Sequence, residues 1–239
     1  MQLIIDRGNS FWKIAIFDEN NIVFSERLEK VNSLVFDSIL NQFNVESGII
    51  SSVSYIDEEI IAFLKSKLFL VEFTQQTKVP IQIDYQTPET LGKDRIAAAV
   101  GAFSQWGNEN CLIIDAGTCI TYDILEKGGK YVGGSISPGI QMRFRALNNF
   151  TGKLPLIEIK KFENTNGKTT EESILSGVLK GVCFEVDGFI SHYTNEINSL
   201  KIIFTGGDVV FFDKNLKNSI FVDSNLVITG LKEILKYNA

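Results

Sequence analysis

The segment Ile4-Ile5-Asp6-Arg7-Gly8-Asn9-Ser10 returns in the middle of the chain as Ile113-Ile114-Asp115-Ala116-Gly117-Thr118, with the two aspartates 109 residues apart. In each copy an apolar run ends in Asp, passes through Gly and a small amide or hydroxyl residue, and enters a second apolar run at once. That order describes two strands joined by a tight turn whose tip carries a carboxylate, bare backbone amides and a hydroxyl. Such self-similarity constrains the fold more than any single stretch, because each copy must build the same supersecondary unit. A chain of 239 residues divides into two such halves, and a polyphosphate held between paired tips is the chemistry that the pattern suits.

Hydrophobic periodicity extends the repeat. In the first half, strands are expected at 2–6, 11–17 and 22–28, then a helix at 34–43, a buried strand at 48–53 and a helix at 57–68 capped by Asp57. A strand at 81–85 and an Ala-rich helix at 96–106, stopped by Gly107-Asn108, close this half. The second half repeats the opening meander at 111–115, 121–125 and 130–136, with Gly128-Gly129 as a turn. A Gly-rich loop and helix follow, then a long helix at 170–198, strands at 201–205 and 220–222, and a closing helix at 226–237. Within the long helix, Gly177, Gly181 and Gly188 either admit a close neighbour or simply weaken it. The expectation is an α/β protein with mixed sheets flanked by helices, in two domains, 1–106 and 107–239.

Composition removes several function classes. Lys and Arg total 23 against 29 Asp and Glu, a net charge of −6 without the basic stripe that nucleic-acid binding requires. Cys111, Cys119 and Cys183 form no Cys-x-x-Cys pair, so neither a disulfide framework nor a zinc site is expected, and buried thiols are the reading for Cys111 and Cys119. The single histidine, His192, has no second residue with which to complete a triad or metal site, and packing or surface exposure is its default role. The first residues carry no signal-peptide pattern and no apolar run reaches a membrane-spanning length, so a cytoplasmic protein is expected.

At the first tip, Gly8 permits close approach of a phosphate to backbone amides, and Asp6 is a hard oxygen ligand suited to magnesium. Asp115, Gly117 and Thr118 offer the same groups at the second tip. A third element, Ile202-Ile203-Phe204-Thr205-Gly206-Gly207-Asp208, runs from a strand into paired glycines, which is either a nucleotide-contacting loop or a tight strand-to-helix turn. Asp94, in Gly92-Lys93-Asp94-Arg95, is either a helix cap or a base. Arg95 could pair with a substrate carboxylate or serve a subunit contact. The loop Gly133-Gly134-Ser135-Ile136-Ser137-Pro138-Gly139, before Arg143 and Arg145, is site lining or a plain turn with solvated arginines.

In this order the motifs resemble those of the acetate kinase, sugar kinase, heat-shock ATPase and actin superfamily. More narrowly, Asp6-x-Gly8-Asn9-Ser10, Thr90-Leu91-Gly92-Lys93-Asp94-Arg95, Asp115-x-Gly117-Thr118, Gly133-Gly134-x-Ile136-x-Pro138-Gly139 and Thr205-Gly206-Gly207-Asp208 are similar to those of type III pantothenate kinases over essentially the whole chain. The resemblance implies two duplicated ribonuclease H-like domains of the actin-like ATPase type. It implies transfer of the γ-phosphoryl group of ATP to pantothenate, giving 4′-phosphopantothenate in the first step of coenzyme A synthesis.

Carried onto this sequence, the resemblance gives Asp6, Arg7, Gly8, Asn9, Ser10, Phe11, Trp12 and Lys13 to ATP and Mg²⁺, with Asp6 as the magnesium anchor. Thr118 goes to a phosphate, and Gly206 and Gly207 to the adenosine. Asp115 is implied to hold a monovalent cation, K⁺ or NH4⁺. Tyr85, Gly92, Lys93, Asp94, Arg95 and Thr170 are implied to contact pantothenate, with Asp94 as catalytic base, and a homodimer is implied as the assembly. Lys93, Arg7, Ser10 and Thr169 depart from the residues common in the family, and Arg7 and Lys93 are expected to add positive charge near the phosphates. The other readings are a kinase for a different small hydroxylated acceptor and a non-catalytic, nucleotide-binding transcriptional accessory protein.

Overall fold

The structure is a computed structural model that describes residues 1–239. Its elements are, in chain order, β1 (Gln2–Arg7), β2 (Trp12–Asp18), β3 (Asn21–Leu28), α1 (Ser33–Leu40), β4 (Ser47–Ser52), α2 (Glu58–Lys67), β5 (Phe69–Glu72), β6 (Gln82–Ile83) and α3 (Lys93–Trp106). They continue as β7 (Asn110–Ala116), β8 (Cys119–Glu126), β9 (Lys130–Pro138), α4 (Ile140–Asn149), α5 (Thr170–Glu196), β10 (Leu200–Thr205), α6 (Val209–Asp213), β11 (Phe221–Val222) and α7 (Leu226–Asn238).

The chain forms two compact units. The first comprises Met1–Gly107, Gly128–Val132 and Asn225–Ala239, and the second Asn108–Lys127 and Gly133–Ser224. In the first unit the sheet runs β3-β2-β1-β4-β5, with β1 antiparallel to β2 and parallel to β4. The second sheet repeats the plan as β9-β8-β7-β10-β11, with β7 antiparallel to β8 and parallel to β10, and carries β6 as a sixth strand parallel to β9. The duplication expected from the repeated segment is therefore a duplication of topology. In each unit the aspartate is the next-to-last residue of the central strand, which pairs antiparallel on one side and parallel on the other.

The apolar runs before each aspartate follow from this position, because a central strand is covered on both faces and needs apolar residues throughout. Leu3, Ile4 and Ile5 are fully buried, as are Cys111, Leu112, Ile113 and Ile114. One face of the first sheet packs Leu3, Ile5, Trp12, Ile14 and Ile16 against Phe36, Ile60 and Leu64 of α1 and α2. The other is covered by α7, which packs on β1 and on α3.

Side-chain caps set three of the seven helix starts. Asp57 caps α2 by accepting the Glu59 N–H, Asn32 caps α1 through Val35, and Thr169 caps α5 while Glu172 reaches back to the Lys168 N–H. Several boundaries differ from expectation. Helix α1 stops at Leu40, and α3 begins at Lys93 rather than at 96, which brings Asp94 into its first turn. The four-residue strand β5 gave no sequence signal, and the strand expected at 81–85 is only the pair Gln82–Ile83. Cβ positions at Gly177, Gly181 and Gly188 meet nothing within 4 Å, so these glycines admit no close neighbour. Cys111 and Cys183 are buried, but Cys119 is half-buried beside Met142 rather than enclosed.

Candidate active site

The first tip is a turn closed by the Gly8 N–H donating to the Phe11 carbonyl at 3.0 Å, which leaves Asn9 and Ser10 exposed at its apex. Strand alternation divides its residues between the two sheet faces. Arg7 lies on the side of Leu3 and Ile5, with its guanidinium 5.3 Å from the Trp12 ring centroid and its Nε and Nη1 buried without hydrogen bonds. The π face of Trp12 offsets part of that desolvation. The charge expected from Arg7 is thus held on the α1–α2 face, opposite Asp6.

Asp6 points to the other face, directly across from Lys13 in the antiparallel pair and from Ser51 in the parallel one. Burial pushes its carboxyl up to about 6, Lys13 pulls it down, and the nearby charge of Asp94 pushes it up again. The Ser51 hydroxyl is buried and has no hydrogen-bond partner. A carboxylate resisting ionisation, next to an unpaired hydroxyl, is a place where a cation would relieve a standing electrostatic cost. Sequence reasoning missed Ser51, whose role depends on lying beside Asp6 in register.

That cost carries a prediction. The folded protein holds the Asp6 proton more tightly than an unfolded chain, whose value is 3.8, so stability falls as pH rises from about 4 to about 6. Asp6→Asn is therefore expected to stabilise the metal-free protein at pH 8 by about 1–3 kcal/mol and to have little effect at pH 3. Thermal melts at the two pH values check this, and a destabilised variant at pH 8 would contradict it.

Asp94 occupies the second residue of α3, whose N-cap is Gly92, without a side-chain cap bond. Its Oδ1 accepts the Arg95 N–H at 2.9 Å, and its other oxygen makes no hydrogen bond. A Cβ at Gly92 would sit 2.5 Å from that Oδ1, so the glycine makes room for the carboxylate. The capping alternative is met in part, since Asp94 satisfies one first-turn donor while keeping one oxygen open. Arg95 is buried, with its guanidinium 6.0 Å from the ring centroids of both Tyr85 and Tyr131. Tyr131, fully buried at the start of β9, was not anticipated as a neighbour of this group. Lys93 lines a different hollow, about 550 Å³ in volume, with Ser52, Tyr55 and Glu58.

In the second unit, the tip after Asp115 is closed by the Gly117 N–H to the Cys119 carbonyl at 2.9 Å, and Thr118 is exposed. The Gly139 N–H donates to the Thr118 carbonyl at 3.0 Å, and a Cβ there would fall on the Gly117 carbonyl. Gly206 has φ +100°, and its missing Cβ would fall on the Ala116 carbonyl and lie 2.5 Å from Asp115 Oδ1. The glycine pair is therefore a tight strand-to-helix turn seated against the second tip, which joins Asp115, Thr118, Gly206 and Gly207 in one region.

Arg143 is not a solvated arginine. It bonds both oxygens of Glu185 at 2.8 Å, and Glu185 also accepts from Ser137 at 2.6 Å and Tyr122 at 3.1 Å. These bonds hold the Glu185 carboxyl below its ordinary value against the opposing effect of burial. Thr170, the first residue of α5, lines a separate apolar hollow of about 770 Å³ with Leu147, Phe150, Ile174 and Val178. His192 is exposed, 3.6 Å from Glu196 on the same helix.

A family model described as type III pantothenate kinase matches residues 2–192. The type III pantothenate kinase of Christiangramia forsetii is 41% identical over 240 residues, covering 100% of this chain and 99% of that protein. That of Azobacteroides pseudotrichonymphae is 42% identical over 238 residues, covering 99% and 97%. Among solved structures, the fold is similar to a Campylobacter jejuni protein provisionally described as a Baf family transcriptional activator, at TM-score 0.60 and 24% identity, covering 99% and 98%. It is also similar to a glucokinase from an Antarctic psychrotroph, at TM-score 0.52 and 11% identity, covering 100% and 99%. These structural likenesses place the fold among actin-like ATPases and sugar kinases.

Proposed function

The chain belongs to the type III pantothenate kinase family, and from that premise we propose how its residues carry out ATP-dependent phosphorylation of pantothenate to 4′-phosphopantothenate. The observation that carries the assignment of roles is the Asp94 carboxylate, fixed by one oxygen and open at the other, within electrostatic range of Asp6, on which Lys13 also acts. A primary alcohol is a poor nucleophile at neutral pH. Asp94 orients the pantothenate hydroxyl through its open oxygen and accepts its proton as the oxygen bonds to the γ-phosphorus and the bond from that phosphorus to the bridging oxygen breaks, releasing ADP. Lys13 and the amides around Gly8 take the phosphate charge; the family resemblance assigns Thr118 to a phosphate and Gly206 and Gly207 to the adenosine. Tyr85, Gly92 and Arg95 are assigned to the pantothenate, Arg95 being the cation suited to its carboxylate; Lys93 and Thr170, which the family resemblance also gives to it, line other hollows.

Asp6 fits magnesium, because a single raised carboxylate matches a cation that takes one or two carboxylates and otherwise water and phosphate. When bound, the metal supplies shielding of the triphosphate charge. Asp115 is the proposed holder of K⁺ or NH4⁺, and replacing potassium by sodium is expected to slow turnover severalfold; equal rates in the two salts would remove that role. A homodimer is part of the proposal, with the exposed Phe150 beside the apolar hollow at Thr170 as its candidate contact, and so is a cytoplasmic location. No helix is long and apolar enough to cross a membrane.

The deciding experiment is ADP release by the purified protein with ATP, Mg²⁺ and K⁺, with and without pantothenate, and the product identified by mass. Pantothenate-dependent ADP together with a phosphopantothenate mass supports the proposal. ATP binding without turnover would move the weight to another acceptor or to a regulatory relative.

A further inference from the structure

We infer that Arg27 is a second cation of the polyphosphate subsite, held ready for the triphosphate by the ring of Phe11. The inference rests on the proposed phosphate role of the first tip. In the sheet register Asp6 lies opposite Lys13, and Lys13 lies opposite Arg27 on β3. Directly opposed residues of antiparallel strands project to the same face, so the three side chains form a row across three strands. With Asp94 acting on Asp6, charge on this face runs from an acidic pair to a basic pair. The acidic end suits a metal and a hydroxyl being deprotonated, and the basic end suits an anionic tail.

Arg27 is also unusually well placed for an exposed arginine. Its Cζ lies 3.8 Å from the Phe11 ring centroid, which is stacking distance, and its guanidinium makes no hydrogen bond or ion pair. Stacking uses the face of the guanidinium and leaves the N–H donors at its edge available. A long side chain on an edge strand would ordinarily pay rotamer entropy to meet a phosphate, and the ring removes part of that cost before the ligand arrives. Phe11 belongs to the turn itself, whose carbonyl accepts from Gly8, so the cation is tied to the element that would approach the phosphates. Bidentate phosphate recognition is the chemistry that a planar, pre-oriented arginine performs best.

The test compares wild type with Arg27→Met, which keeps the apolar bulk and removes the charge, and with Phe11→Leu, which removes the stacking surface. Arg27→Met is expected to raise KM for ATP about tenfold, the scale of one charge-assisted contact, with a much smaller effect on kcat and on KM for pantothenate. Phe11→Leu should shift KM for ATP in the same direction by less, and Arg27→Lys should recover part of the loss. In calorimetric titrations without pantothenate, Arg27→Met should weaken Mg·ATP binding and leave adenosine binding unchanged. KM and affinity for ATP within twofold of wild type would overturn the inference, as would an equal loss for adenosine. If wild type binds Mg·ATP but does not phosphorylate pantothenate, the activity reading fails while the titrations still decide the role of Arg27. Failure of wild type to bind Mg·ATP at all would overturn both.

Discussion

Asp94→Asn is expected to lower pantothenate-dependent turnover by about 10²-fold or more while leaving the melting temperature almost unchanged. The substitution is nearly isosteric, and its side-chain oxygen can still accept the Arg95 N–H that Oδ1 accepts now. The gap left by Gly92 is sized for that same oxygen, so the amide fits without displacing the turn. Helix α3 loses a negative charge in its first turn, which costs about 0.3–1 kcal/mol. What disappears is the capacity to accept a proton. A second readout tests the electrostatic coupling of the two carboxylates. Asp94 is one of the groups that push Asp6 up, so Asp94→Asn should let the Asp6 carboxyl titrate at a lower pH in an NMR titration. Turnover at the wild-type rate would sink the base assignment, and an unmoved Asp6 titration would show that the two carboxylates do not interact.

Gly230→Ala is expected to destabilise the protein by about 3 kcal/mol or more, against the usual expectation for this exchange. In an ordinary helix interior, Gly to Ala gains about 1 kcal/mol. Here the added Cβ would fall on the Ala97 carbonyl and come within 2.8 Å of the Gly101 backbone nitrogen, both on α3. On the other side of the same contact, a Cβ at Gly101 would fall on the Leu226 carbonyl. Backbone therefore meets backbone along the α3–α7 crossing, and no rotamer change can make room. Because α3 carries Asp94, separating these helices should also lower turnover, more than the folded fraction alone accounts for. Denaturant midpoints and activity on the same samples measure both effects, and a variant as stable as wild type would mean that the helices do not cross this closely.

Much of the site was legible because its signals are local. A central strand covered on both faces must be apolar along its length, so an abrupt aspartate followed by glycine marks where that strand leaves the core. That grammar located both tips, and the fixed order of the five motifs led to the family. Asp57 and Thr169 read as helix starts because capping is a matter of neighbouring residues. By contrast, β5 follows α2 directly, and its four residues are only partly buried, so it left no pattern to detect.

The sequence by itself determined the duplicated strand-turn-strand units, their carboxylates and their glycines, since these follow from burial and backbone sterics within a few residues. Only the tertiary structure decided that α7, at the end of the chain, belongs with the first unit, or that Arg143 is bound by a glutamate 42 residues away. Tertiary pairing likewise set Arg7 against Trp12 on the face opposite Asp6, and aligned Asp6, Lys13 and Arg27 in one row. The physical reason is the same in each case. Register and packing join residues through space, and the energy that selects them comes from partners whose positions along the chain carry no local mark.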